Sequence, residues 1–331
     1  MKKIVSIVLA VSMLAVCVTG CKTTTRKQLK PVVLNEVAHS IFYAPQYAAI
    51  ELGYFEDEGL DLTLVNGAGA DKVMTALISG GADIGFMGSE ASIYVYQQGS
   101  DDYAVNFAQL TQRAGNFLVG REAQDNFTWA DLKGKKVLGG RAGGMPEMVF
   151  EYILKKNGID PAADLTIDQS INFGLTAAAF TSNDADYTVE FEPFATGLEK
   201  EGNGHVIASL GVDSGYVPYT AYSVKKSYLE KNPETIQKFT NAIQKGLEYV
   251  NTHSAEEIAK VIQPQFKETD EDTIATIVGR YKDQDTWKGD TVFEKDSFEL
   301  LENILEEAGE LNERVPYDKL VTTEFSQEAA K

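Results

Sequence analysis

Cysteine is almost missing: the 331 residues contain two, Cys17 and Cys21, both near the N-terminus. From Lys22 onward no thiol remains for a disulfide, a thiolate metal site or a cysteine nucleophile. Histidine is nearly as scarce, and His39, His205 and His253 lack any spacing that would set two of them on one metal, so no metal site is expected. Positive charge is in deficit, with 30 Lys and Arg against 49 Asp and Glu, a formal −19. That balance opposes nucleic acid and anionic membrane surfaces, although a pocket can carry the opposite local sign. After Cys21 there is no long apolar run, so nothing further along reads as a membrane span. No nucleophile–base pair, phosphate-cradling glycine loop or cofactor motif stands out, which argues against an enzyme.

What is present begins with Lys2 and Lys3, a positive lead into the apolar run from Ile4 to Val18. That run is too short for a comfortable span and has the layout of a secretory signal. Val18-Thr19-Gly20-Cys21 follows, an aliphatic residue three before a cysteine with small residues between, and resembles the bacterial lipobox. The resemblance implies a signal peptide over 1–20, lipidation of Cys21 and a polar tether over 21–30. Removal of Lys2 and Lys3 takes the formal charge from −19 to −21.

From Pro31 the pattern becomes a βαβ march. Strands are predicted at 32–34, 60–65 and 84–86, with helices at 44–52, 70–79 and from Ser89 toward Gln97. The rhythm restarts after Gly120, with strands at 136–139, 165–168, 187–189 and 206–209 and helices at 146–157, 176–180 and 194–201. Gly158 and Gly202 are C-terminal helix stops. From Pro233 amphipathic helices take over, at 235–252, 255–262, 272–282 and 294–308, and their apolar stripes predict core. The class is therefore α/β: two successive units with parallel sheets, and a helical tail packed back on one of them.

Four ordered motifs now combine. Tyr43-Ala44-Pro45-Gln46-Tyr47-Ala48 leads through Gly53-Tyr54-Phe55 to Gly59-Leu60. Ala76-Leu77-Ile78-Ser79-Gly80-Gly81-Ala82-Asp83-Ile84-Gly85 follows, then Asp131-Leu132-Lys133-Gly134-Lys135, then Glu192-Pro193 with Leu198-Glu199-Lys200. In this order they resemble the solute-binding proteins of ABC importers for sulfonates, taurine, nitrate and thiamine pyrimidines. The resemblance implies a two-lobe type II periplasmic-binding-protein fold with two crossover hinge strands, closing on a ligand. Lobe one is expected over 31–115, lobe two with hinge strands over 116–216, and the return to lobe one with C-terminal helices over 217–331. The crossings themselves are expected at 116–121 and 217–224. It further implies a monomer outside the cell, held to the membrane by its lipid, with a small-molecule ligand, a permease and an ATPase as partners and no cofactor. A eukaryotic pyrimidine synthase of the same fold carries a cysteine-rich motif that this chain lacks, so capture rather than chemistry is expected.

In open α/β units, ligands sit outside the carboxyl ends of the strands. Four loops qualify: one with Ser40, Phe42 and Tyr43, one with Asn66, one with Ser89 and Glu90, and one with Arg141, Gly143 and Gly144. Tyr187, Glu190 and Glu192 end a strand of the second unit opposite the first and third loops. Plainer readings stand beside these. Ser89 is a helix cap, one of Phe42 and Tyr43 at most faces the cleft, the glycine pair shapes a turn, and Arg141 is a surface charge. Arg141 with helix N-termini suits a small anion such as a sulfonate, taurine or nitrate. Phe42, Tyr43, Phe86 and Tyr187 with Glu90, Glu190 and Glu192 suit a nitrogen heterocycle such as a thiamine-precursor pyrimidine. Carboxylates outnumber cations in these loops, and the balance leans to the heterocycle. The Asp-Trp-x-x-Asn-x-x-His opening of the thiamine-pyrimidine subgroup is replaced here by Asn35-Glu36-Val37-Ala38-His39.

Overall fold

The computed structural model describes residues 29–171 and 174–331; the signal segment, Cys21 and most of the tether lie outside them. Its strands run β1 (Lys30–Glu36), β2 (Leu60–Asn66), β3 (Ile84–Met87), β4 (Ala104–Thr111), β5 (Asn116–Gly120), β6 (Lys136–Leu138), β7 (Thr166–Asp168), β8 (Tyr187–Phe191), β9 (His205–Ser209) and β10 (Thr220–Lys225). They form two five-stranded sheets, β2-β1-β3-β10-β4 and β7-β6-β8-β5-β9. In the first, β1 is parallel to β2 and β3, and β10 is antiparallel to both its neighbours. In the second, β6 is parallel to β7 and β8, while β5 is antiparallel to β8 and β9.

The parallel strands are joined by helices because the chain must return before it can pair again, and helices 44–51 and 70–79 do this in the first lobe. The expected crossings at 116–121 and 217–224 coincide with β5 and β10, each hydrogen-bonded on both edges within a single sheet. The chain passes between the sheets through 112–115 and 210–219 instead. β4 lies outside the predicted strands, since Asn106 and Gln109 break its apolar run and no alternation marks its eight buried residues. Its polar members are only partly satisfied: the Gln109 amide donates to the Thr111 carbonyl at 3.0 Å while its Oε1 has no partner, whereas Asn106 is fully engaged. The Asn106 amide donates to Ser92 and the Leu320 carbonyl at 2.9 and 3.1 Å, and its oxygen accepts from Ser223 at 2.6 Å.

Helix Pro233–Thr252 buries Ile236, Phe239, Ile243, Leu247 and Val250, spaced to make one stripe, and lays it on helix Ala44–Glu51 of the first lobe. One apolar cluster runs through both sheets and the aromatic side chains between them. Among the described residues no helix is long and apolar enough to cross a membrane.

Candidate functional site

Between the sheets the chain drives in an aromatic wedge. Phe42 is fully buried, its ring 5.1 to 5.8 Å from those of Tyr43, Tyr281, Tyr219 and Phe191. A Cβ on Gly115 would come 2.5 Å from the Phe42 ring, so the crossing segment closes tightly over it. Phe42 is thus core. Phe86 is core as well, stacked on Tyr222 at 4.3 Å. Tyr43 packs edge-on against Phe86 at 4.6 Å, and its hydroxyl feels the charges of Glu36 and then Glu90.

Glu90 opens helix Glu90–Gln97 and is 4% exposed. Its carboxylate folds back over Gly88, where a Cβ would overlap and displace it. Burial pushes the Glu90 carboxyl up to about 7, against the pull of its own N–H and the Arg141 charge. Its Oε2 has no hydrogen-bond partner. Burial above all holds the Tyr43, Tyr94 and Tyr219 hydroxyls above the ordinary phenol range, followed by Glu36 and then Glu90 at Tyr43, Glu90 at Tyr94, and Tyr43 and then Glu90 at Tyr219. On the lobe-two side stands Asn116, first residue of β5 and fully buried. Its Oδ1 accepts from the Tyr219 hydroxyl at 3.4 Å, while its Nδ2 has no partner. One lobe thus carries an unpaired buried acceptor and the other an unpaired buried donor, and Tyr219, bonded to Asn116, feels the charge of Glu90. Sequence reasoning missed Asn116 and Tyr219. The signal was there: a lone amide heading the apolar run Asn116-Phe117-Leu118-Val119.

The other expected site residues divide by surroundings. Ser40 accepts from the Phe42 N–H at 3.3 Å and donates to the Glu192 carbonyl at 3.0 Å, tying the lobes together. Ser89 sits at the cap position but gives its hydroxyl to the Pro218 carbonyl instead of capping the helix. Asn66 is exposed and accepts from the Ala68 N–H at 2.9 Å, shaping its own turn. Arg141 is exposed and lies 3.7 Å from Asp71 at the rim between the lobes.

Gly143 gives its N–H to Glu147 at 3.1 Å and its carbonyl accepts from Tyr94 at 3.5 Å, and Gly144 caps the following helix. Burial and the adjacent Glu151 push Glu147 up to about 8. Tyr187 begins β8 opposite Gly120, four residues of strand from the Asn116–Phe191 pair, and accepts from Gln124 at 2.7 Å. It stands away from the crossing because a strand of that length carries its start about 13 Å from its end. Glu190 accepts from Thr176 and Thr188 at 2.9 and 2.6 Å. Glu192 is wholly shielded and engaged by Arg280 at 2.5 Å.

Of the twelve residues expected, Tyr43 and Glu90 lie close enough to Tyr219, the partner of Asn116, for their charges to act on it, whereas Asn66 shapes its own turn and Tyr187 stands at the far end of β8. The two helix N-termini that suit an anion both face a carboxylate, that of Glu90 toward its own N–H and that of Glu147 on the Gly143 N–H. Among the described residues no group of three or more His, Cys, Asp or Glu is placed to hold a metal ion.

A family model described as NMT1/THI5 like matches residues 41–257. YtlA of Bacillus subtilis (strain 168), which carries the name of a binding protein, is 47% identical over 93% of this chain and 92% of its own length. The THI11 protein of Saccharomyces cerevisiae, named 4-amino-5-hydroxymethyl-2-methylpyrimidine phosphate synthase, is 26% identical over 63% of each chain. The alkanesulfonate-binding protein SsuA from Xanthomonas axonopodis pv. citri, solved with MOPS, superposes with a TM-score of 0.71 at 14% identity, over 89% of this chain and 99% of its own. That likeness bears on the fold.

Proposed function

Because the chain belongs to the NMT1/THI5-like family, we propose that it is the extracytoplasmic substrate-binding lipoprotein of an ABC importer and holds a small nitrogen heterocycle between its lobes. One observation carries the choice of ligand: Glu90 Oε2 is a buried acceptor without a partner, and Asn116 Nδ2 a buried donor without one. A buried polar atom left unpaired costs about 1–3 kcal/mol, so a solute offering an amino group and a ring nitrogen gains what the apo interface lacks. Tyr43 and Tyr219 supply ring faces and edges for stacking. A sulfonate or nitrate would face Glu90 and, beyond Tyr94, Glu147, and would find the nearby helix N–H groups already turned to carboxylates. In this reading Cys21 bears the lipid, the chain works as a monomer, and permease and ATPase receive the solute.

Calorimetric titration of 4-aminopyrimidine, taurine and nitrate into the mature chain and its Glu90→Gln variant tests the choice. The aminopyrimidine should bind, and the variant should lose about 2–5 kcal/mol of that binding. Taurine or nitrate binding that tightens in Glu90→Gln would hand the site to the anion.

A further inference from the structure

We infer that Arg280 is the positioning residue that draws lobe two onto lobe one, setting ligand affinity from outside the ligand site. Arg280 lies near the end of helix Glu271–Asp283, which packs on helix Ala255–Ile262 and on the Ile41–Tyr43 turn, all on the first-lobe side. Its guanidinium reaches two carboxylates of lobe two at once, Glu192 at 2.5 Å and Glu199 at 2.8 Å. A third contact, 3.2 Å, runs to the Thr196 hydroxyl. Glu192 also accepts from the Thr196 N–H and hydroxyl, each at 2.9 Å, so it is pre-oriented for the guanidinium. Farther along the same pair of helices, Lys200 lies 3.3 Å from Asp270.

The geometry makes closure all-or-none at this flank. Glu192 and Glu199 ride on one short segment, helix Phe194–Lys200 with its lead-in, so a rotation of lobe two takes both from Arg280 together. Glu192 then loses a cation that offsets its shielded charge, and a planar fork loses both of its partners. The opposite flank is tied differently: Lys155 reaches the Glu307 backbone carbonyl at 2.6 Å, and helix Met145–Lys156 lies along helix Lys295–Ala308. Arg280 therefore biases an equilibrium between apart and together. A solute that binds only the closed form has its apparent affinity scaled by the closed fraction.

This rests on the two-lobe architecture and on capture between the lobes, and its first measurement needs no solute. Small-angle scattering of the mature chain without added solute should show a larger radius of gyration for Arg280→Gln than for the parent. Glu199→Gln, which removes one arm of the fork and leaves Glu192 neutralised, should fall between them and guards against a variant that misfolds. With 4-aminopyrimidine as probe, Arg280→Gln should weaken binding roughly tenfold, chiefly through faster release. Arg280→Lys, which keeps the charge and loses the fork, should recover only part of it. Equal radii for all variants overturn the assignment, as does an enlarged radius in Arg280→Gln with unchanged probe release. A probe that binds none of the proteins counts against the heterocycle and leaves the scattering result standing.

Discussion

Glu190 sits on β8 with one carboxylate oxygen on Thr176 and the other on Thr188, inside the second lobe. Burial pushes its carboxyl up to about 7 despite both hydroxyls. A carboxyl raised in the fold binds more protons folded than unfolded, so its contribution to stability falls as pH rises from about 4.5 to about 7. Asp270, held down to about 2 by Thr273 and Lys200, titrates far below that window and does not offset the slope. Glu190→Gln should therefore melt higher than the parent at pH 8, by about 1–2 kcal/mol in unfolding free energy, and match it near pH 5. Equal melting temperatures at pH 8 would mean that Glu190 is not desolvated. Residue by residue, the sequence marked carboxylates near strand ends but not their employment. Glu90, Glu190 and Glu192 read alike in the chain, and only packing separates an unpaired oxygen, a pair of threonine hydroxyls and a guanidinium.

Helix Pro233–Thr252 was legible from its stripe, as were most helices, and the parallel strands from short apolar runs bounded by turns. β4 was not, because Asn106 and Gln109 interrupt its apolar run and, with both faces covered, no alternation remains to mark it. The crossings were displaced by a few residues for a related reason: an apolar run such as Phe117-Leu118-Val119 gains a ladder on each edge and is absorbed into a sheet, leaving the join to 112–115. Gly246 shows what helix period alone does not reveal. In a helix interior, Gly→Ala ordinarily gains about 1 kcal/mol. Here a Cβ would overlap the Pro45 carbonyl and press on Ala49 at 3.0 Å, and a backbone oxygen in a helix has nowhere to go. Gly246→Ala should lower the urea-derived stability by about 1–3 kcal/mol, with solute binding preserved. A gain instead would show that the two helices can slide apart freely.

At the scale of the whole molecule the lobes differ in how the chain supplies them. Lobe two is one continuous stretch, β5 to β9, whereas the first sheet is closed only when β10 slots between β3 and β4. Pulse-labelling hydrogen exchange during refolding should protect amides of β5, β6 and β8 before those of β3 and β4; simultaneous protection would count against an ordered assembly. The late insertion also matters during synthesis, where the chain emerges from one end. Until Thr220–Lys225 have left the ribosome, β3 and β4 present open apolar edges to each other across a gap that no earlier segment can fill. A nascent chain of this protein therefore keeps its first sheet open until about two-thirds of it has been made.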